Sequence, residues 1–220
     1  MRSLLPVLLL LHAASLSADD RVRREFSSAV PSAQVQRLIL DIPAGEITIR
    51  NGAPGRIAIS GHISRKPDGA RSREREQRIV ADSSVELIVR GEEATVRRRF
   101  GPNAQGWRAG TFNSYQVEVE LPPGMNVDVR TKYGELEIEG SFGDLDIDMT
   151  AGEASLRLPK RNVRELRASC RAGEVRTNLG DEVIEHSGLF PGKTRFVNSS
   201  GKSFVNVHVT FGEVRVDLTP

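Results

Sequence analysis

Seven carboxylates are concentrated in residues 133–153, a stretch that contains no basic residue. They are Glu135, Glu137, Glu139, Asp144, Asp146, Asp148 and Glu153, and we call them the acidic ladder. Carboxylate clusters suit hard cations such as calcium, and paired carboxylates such as Glu137 and Asp146 could cleave a glycosidic bond. Because the acids alternate with apolar residues, they point outward from predicted β-strands, where neighbouring like charges cost about 0.2–1 kcal/mol per pair.

A block of bases follows the acidic ladder directly in the sequence. Its members are Arg157, Lys160, Arg161, Arg164, Arg167, Arg171 and Arg176. Stacking one coil of the chain on the next would place these bases beside the acids, so we interpret the ladder as a charge-matched surface without metal or cofactor. Calcium should then leave thermal stability unchanged, whereas charge reversal at Arg164 and Arg167 should lower it.

A second candidate lies in residues 97–113, the least regular part of the chain after its N-terminal leader. The candidate interaction surface consists of Arg97, Arg98, Arg99, Phe100, Trp107 and Arg108. Arginines beside exposed aromatic rings are typical of interaction hot spots and could bind an anionic glycan or a protein. The alternative is a solvated basic loop with Trp107 packed back onto the domain. The formal net charge of +2 gives no support for nucleic-acid binding.

No residue pattern typical of catalysis occurs in the sequence. The histidines His12, His62, His186 and His208 have no metal-ligand spacing, and there is no nucleophile elbow or phosphate-binding glycine loop. Cys170 is the only cysteine, and its alternation with Leu166 and Ala168 predicts a buried, inert thiol. We therefore predict a protein that is not an enzyme, without catalytic residues.

The elements that must position these residues are built on one repeated phrase, Gly134-Glu135-Leu136-Glu137-Ile138. Variants begin at Gly45, Gly143, Gly152, Gly173 and Gly212. From Gly134, successive main-phrase glycines lie 18, 21 and 39 residues apart, and the apolar centres Val127, Leu136, Leu145 and Ala154 lie nine apart. Such periods indicate stacked supersecondary units. Connectors of four residues are too short for parallel crossovers, so the chain must form hairpins or turn corners.

The predicted fold is all-β: a single-stranded β-helix- or solenoid-like stack of short strands with glycine turns. One short surface helix is expected over 70–79 in the N-terminal lobe. Each glycine would turn a corner, and the apolar pair of each phrase would stack on the next coil. The phrase is lost within residues 181–201, where the regular coil is not expected.

The chain divides into three predicted parts. Residues 1–18 have the basic start, apolar run and small residues of a signal peptide; residues 19–33 form a linker with Arg24–Phe26 as a short edge strand. Residues 34–220 form the β domain, with an N-terminal lobe at 34–113 and a repeat region at 114–220. The mature chain should be exported to the periplasm or outside the cell, without a transmembrane segment.

Three features together resemble the bacterial putative-adhesin family of unknown function. They are the corner Leu121-Pro122-Pro123-Gly124, the glycine phrases from Gly134 to Gly173 and the ending Phe211–Pro220. The resemblance covers residues 34–220. It implies an exported cell-envelope protein with a β-helix-like "toast-rack" domain and no established catalytic residues to transfer.

The predicted function is an adhesin-like scaffold that binds protein or polysaccharide of the envelope. The alternative is a sensory or regulatory partner in envelope-stress signalling, a role sometimes linked to such domains. A third hypothesis is a carbohydrate-active enzyme, which would require a cleft between paired carboxylates.

Overall fold

The computed structural model describes residues 21–101, 114–187 and 190–220. The strands are β1 (Val22–Pro31), β2 (Arg37–Asp41), β3 (Ala44–Asn51), β4 (Arg56–Arg65), β5 (Ser83–Arg90), β6 (Glu93–Phe100), β7 (Ser114–Leu121), β8 (Asn126–Glu139), β9 (Leu145–Pro159), β10 (Val163–Thr177), β11 (Glu185–Ser187), β12 (Gly192–Val197) and β13 (Ser203–Thr219). The α-helix is α1 (Ala70–Ala81), and short 3₁₀ turns cover Lys160–Asn162 and Gly180–Glu182. The prediction of a mostly β protein with a short helix is confirmed, while the predicted signal peptide lies outside the described residues.

The strands form one mixed, open sheet with a branch. Its main order is β1-β4-β7-β3-β8-β9-β13-β10-β12-β11, and β2 joins β8 to the hairpin of β6 and β5. Adjacent strands are parallel throughout the run β7-β3-β8-β9-β13-β10, and β2 is parallel to both β6 and β8. The pairs β1–β4, β4–β7, β5–β6, β10–β12 and β11–β12 are antiparallel. The hairpin predicted over residues 85–96 is confirmed.

The long strands change the phase of their burial at a glycine. In β8, Val127 and Val129 are buried before Gly134, and Leu136 and Ile138 are buried after it. In a straight strand this one-residue shift would send the two halves to opposite faces. Both halves instead belong to one hydrophobic core. Each long strand therefore bends at its glycine, and we call the parts before and after it the first arm and the second arm.

The predicted nine-residue spacing corresponds to these two arms. Val127 lies opposite Leu145 on the first arms of β8 and β9, and Leu136 lies opposite Ala154 on the second arms. Each residue of β8 is therefore paired with the residue 18 positions ahead. Only residues 140–144 connect these parallel neighbours. This short connection is sufficient because the bend in β8 brings the end of its second arm close to the start of β9.

The order of the last strands corrects the sequence prediction. Stacking each phrase on the next would place β10 beside β9, but β13 lies between them and pairs in parallel with both. Residues 178–202 separate β10 from β13, and this length allows a parallel return. In the described part of 181–201, where the phrase is lost, β11 and β12 form an antiparallel hairpin at the edge of β10.

The N-terminal region is more regular than the sequence predicted. Residues 22–31, assigned to a linker, form β1 along β4, and Phe26 and Val30 pack against the core. The strand was not recognised from the sequence because most of its residues are polar and exposed, so apolar and polar residues do not alternate along it. The two predicted lobes share one sheet, since β2 and β3 both pair with β8.

Helix α1 confirms the predicted surface helix and has one buried side. Ile79 and Val80 are buried, as is Glu76, which pairs with the buried Arg65 at the end of β4. No helix within the described ranges has the length and apolar character needed to cross a membrane.

Candidate functional site: the glycine groove

Five glycines stand side by side across the sheet. Gly45, Gly134, Gly152, Gly212 and Gly173 are in direct register on β3, β8, β9, β13 and β10. Their φ angles lie between 130° and 151°, a region that favours glycine. A Cβ atom on Gly152 would lie 1.9 Å from the carbonyl oxygen of Gly134. The close backbone packing at the bend thus requires glycine.

Four glycines of this column, all except Gly45, form the floor of an open groove of about 710 Å³. Four glutamates, each directly after its glycine, line it: Glu135, Glu153, Glu213 and Glu174. Phe190 also lines the groove, and its backbone N–H donates to the carbonyl of Gly173 at 3.3 Å. We call this surface the glycine groove.

Aromatic and small residues alternate along the other side of the glycine column. The residues just before the glycines are Tyr133, Ala151, Phe211 and Ala172, and they are in register. Tyr133 is 59% exposed, Phe211 is 56% exposed, and Phe190 beside the column is 74% exposed. Phe190 thus lines the groove, while Tyr133 and Phe211 border the glycine column. Three exposed rings beside one column are typical of a binding surface.

Two arginines compensate one end of the glutamate row. Arg215 lies 3.5 Å from Glu153 and 2.9 Å from Glu213. Arg176 lies 2.8 Å from Glu174 and 3.6 Å from Glu213. The hydrogen bond from Arg176 lowers the pKa of the Glu174 carboxyl below its ordinary value. At this end the row is held together by ion pairs.

The other end of the row keeps its negative charge. Glu46 of β3 continues the row beside Glu135. Neither makes an ion pair with any residue that the structure describes. The groove is therefore acidic towards β3 and balanced towards β10.

The acidic ladder faces outward as predicted, but most of the predicted bases do not compensate it. Arg157 does lie 3.8 Å from Glu139. Arg164 instead stacks on Phe204 at 5.4 Å, and Arg167 pairs with Glu165 at 2.9 Å. The physical reason is that β13 separates the acids of β9 from the bases of β10.

The fold also keeps apart Glu137 and Asp146, the two carboxylates proposed for glycoside cleavage. Glu137 lies on the second arm of β8 opposite Ser155, while Asp146 lies on the first arm of β9 opposite Asp128. Asp146 accepts a hydrogen bond from Asn206 at 2.9 Å. Within the described ranges, no group of His, Cys, Asp and Glu side chains is arranged to hold a metal ion.

The predicted interaction surface is only partly described. Arg97, Arg98, Arg99 and Phe100 form the end of β6 rather than a loop. Arg99 pairs with Glu86 at 2.9 Å, and Arg98 stacks on Phe100 at 4.9 Å. Phe100 is half-buried against Ile79 of α1 (Ala70–Ala81).

The remaining members of that surface, Trp107 and Arg108, lie outside the described residues, so their role stays a prediction. Sequence reasoning missed the aromatic rings of the glycine groove. A signal was present, since Tyr133 and Phe211 each stand directly before a phrase glycine.

Cys170 and His208 lie on the first arms of β10 and β13. The thiol is buried as predicted, its Sγ donates to the carbonyl of Gly212 at 3.2 Å, and burial raises the pKa of the thiol. His208 places Nδ1 3.1 Å from the Ser169 hydroxyl. The side chain of His186 is not described.

Comparison with known proteins supports the fold. No protein-family model and no curated protein matches the chain. The structure of a putative cell adhesion protein from Clostridium sporogenes covers 90% of this chain and 100% of its own, with a TM-score of 0.52 and 13% identity. The resemblance predicted from the sequence is thus confirmed at the level of the fold.

Two further solved structures are more distant. A putative adhesin from Parabacteroides merdae covers 88% of this chain and 81% of its own, with 8% identity and a TM-score of 0.27. One from Bacteroides fragilis covers 89% and 97%, with 9% identity and a TM-score of 0.26. Similarity at these scores adds nothing to the comparison of folds.

Proposed function

We propose that this chain is an exported, non-enzymatic, adhesin-like module that binds a neutral glycan of the cell envelope along the glycine groove. The observation that supports this most strongly is the pair of exposed rings, Tyr133 and Phe211, beside a flat glycine floor and a row of carboxylates. This combination offers both kinds of contact that a sugar chain needs.

The rings provide the apolar contacts. A pyranose ring has an apolar C–H face that packs against an aromatic side chain, and such packing adds to simple burial of area. Tyr133 and Phe211 lie two strands apart in the register. At a strand spacing of ~4.8 Å this corresponds to about 10 Å, which is comparable with two linked sugar units.

The glutamates provide the polar contacts and favour a neutral ligand. Ionised carboxylates are acceptors only, so they suit the hydroxyl donors of a sugar. An anionic polymer would be repelled by Glu46 and Glu135, which lack counter-ions within the described part of the chain. A neutral glycan can donate hydrogen bonds to these carboxylates without this repulsion.

In this proposal residues 1–18 direct export, and residues 34–220 act as one β-helix-like domain at the envelope. The sequence resemblance and the shared fold with a putative cell adhesion protein support this assignment. The bent arms stack in register along the glycine column, and this regular spacing suits a ligand made of repeated units.

Binding of the purified chain to neutral polysaccharides tests the proposal. Glucan, xylan and mannan would each be immobilised in native affinity gels, and retardation would be measured for the wild type and for Tyr133→Ala and Phe211→Ala. Each substitution should weaken binding about tenfold because a hot-spot ring is lost. The chain length of the retained polysaccharide should not change during incubation.

Phe204→Ala is the matched control, since Phe204 is a 46% exposed ring near the start of β13, on its first arm and away from the glycine column. It should bind like the wild type. The proposal is wrong if the wild type retains none of the polymers, or if all three ring variants weaken binding equally.

A further inference from the structure

A second depression lies on the first arms of β10 and β13 and on β12, and it shares no residue with the glycine groove. Its volume is about 450 Å³. The polar residues lining it are Arg167, Ser169, Lys193, Thr194, Arg195 and Asn206. We call it the basic pocket.

Two arginines of the basic pocket are fixed by one carboxylate. Arg167 and Arg195 lie directly opposite each other on β10 and β12, where like charges repel. Glu165 holds both, accepting from Nε of Arg167 at 2.9 Å and from Nε of Arg195 at 3.0 Å. These hydrogen bonds lower the pKa of the Glu165 carboxyl, so it stays ionised at neutral pH.

Among the described residues, this arrangement leaves the Nη donors of both guanidinium groups without a partner. Each guanidinium has five N–H donors, and Glu165 uses only the one on Nε of each arginine. Both Nε atoms donate to the same oxygen, Oε1 of Glu165, so the two guanidinium groups lie beside each other. Two fixed forks are the arrangement that recognises phosphate oxygens.

The basic pocket carries surplus positive charge. Lys193 lies opposite Ser169 in the register and makes no ion pair with any described residue. The pocket thus has three cations, Arg167, Lys193 and Arg195, and two neighbouring acids. Glu165 pairs with both arginines, and Glu185 is opposite Arg195 in the register. An anion that enters the pocket would therefore meet more positive charge than Glu165 neutralises.

The neighbouring polar groups limit the size of that anion. The Ser169 hydroxyl and the Asn206 amide lie on the same lining, but Asp146 and Asp128 follow on the next strands of this face. A long polyanion would meet these acids. We infer that the basic pocket binds a single phosphate group, carried either by a lipid headgroup or by a soluble phosphorylated compound.

Titration with inorganic phosphate, followed by the amide NMR spectrum, tests this inference. Sodium chloride at matched ionic strength serves as the reference. Phosphate should cause saturable shifts at residues 167–169 and 193–195. Lys193→Gln should weaken the affinity about tenfold, the loss expected for one charge-assisted contact. The variant should fold normally because Lys193 is exposed and makes no ion pair with a described residue.

Lys66→Gln is the matched control, since it removes the same charge from an exposed position between β4 and α1. It should leave the affinity unchanged. Absence of saturable binding, or equal weakening in both variants, would overturn the inference.

Vesicles of phosphatidylcholine with and without phosphatidic acid identify the source of the phosphate. Sedimentation that requires phosphatidic acid and Lys193 assigns a lipid headgroup. Phosphate binding without sedimentation assigns a soluble phosphorylated compound. Both outcomes are independent of the ring variants of the glycine groove.

Discussion

Strand β9 and the pair β10–β12 present opposite charges on their first arms. β9 exposes Asp146 and Asp148, whereas β10 and β12 expose Arg167, Lys193 and Arg195. β13 lies between them with Asn206 and His208 at the equivalent positions. The two charge blocks of the sequence are therefore kept apart, and each can serve a different ligand.

The second arms show the opposite solution. There Arg215 of β13 lies 3.5 Å from Glu153 of β9. Opposite Arg215 on β10, Arg176 pairs with Glu174. β13 thus separates the acids of β9 from the bases of β10 on its first arm, and on its second arm it supplies an arginine that pairs with the neighbouring glutamates. The same strand determines the character of both candidate sites.

Loss of the glycine in that separating strand should have the largest effect. A Cβ on Gly212 would lie 1.9 Å from the carbonyl oxygen of Gly152, so Gly212→Ala must displace β13 from β9. We expect a loss of about 3 kcal/mol or more in the free energy of unfolding, measured by urea denaturation.

Gly180→Ala is the control because Gly180 has φ of 52° but no atom within 4 Å of an added Cβ. It should cost only about 1 kcal/mol, the strain of a left-handed conformation. Equal losses in both variants would show that backbone strain, rather than close strand packing, explains the glycine column.

Charge reversal at Arg215 should have the next largest effect. Arg215→Glu removes two contacts with carboxylates and adds a like charge beside Glu153 and Glu213. The expected loss is about 1–2 kcal/mol in thermal or urea unfolding.

The matched variant is Arg171→Glu on β10, where Arg171 is exposed and makes no ion pair within the described part of the chain. Its stability should stay within about 0.5 kcal/mol of the wild type. If Arg171→Glu lowers the stability as much as Arg215→Glu does, the ion pairs of Arg215 do not stabilise the row of glutamates, and this interpretation is wrong.

Acid should weaken the two arginine-bound carboxylates. The pKa values of Glu165 and Glu174 are lowered by hydrogen bonds from arginines, from an ordinary value of 4.5. Their stabilising contribution is therefore present above pH 4.5 and disappears as the pH falls through the lower folded-state pKa values. Glu165→Gln should flatten this part of the stability–pH curve, and an unchanged curve would contradict the pairing.

Calcium should have the smallest effect. The acidic ladder faces solvent along two arms and forms no metal-holding group within the described ranges. The melting temperature should be the same with calcium and with a chelator. A large upward shift with calcium would show that a cation, and not separation of the charge blocks, stabilises β8 and β9.

The two arms could be predicted from the sequence because the alternation of apolar and polar residues directly reflects which side chains are buried. Val127, Leu136, Leu145 and Ala154 are nine residues apart, and all four are buried. The need for glycine at each bend also followed from the repeated phrase. These features depend on side chains within a few positions of one another.

Strand order was not predictable in the same way. Gly173-Glu174-Val175-Arg176 and Gly212-Glu213-Val214-Arg215 are identical in residue type, so either segment fits beside β9. Which one pairs is decided by the return of the chain through residues 178–202. The basic pocket and the charge balance of the glycine groove both depend on that choice, so neither could be derived from the sequence.

Disulfide pairing on the first arms tests the strand order most directly. In a Cys170→Ala background, Arg167→Cys with Asn206→Cys places thiols on adjacent strands, about 5 Å apart and within disulfide range. Arg167→Cys with Asp146→Cys places them two strands apart, at about 10 Å. Mass spectrometry after mild oxidation should find the bond in the first pair and not in the second. A bond between positions 167 and 146, and none between 167 and 206, would contradict the placement of β13 between the acidic and basic strands.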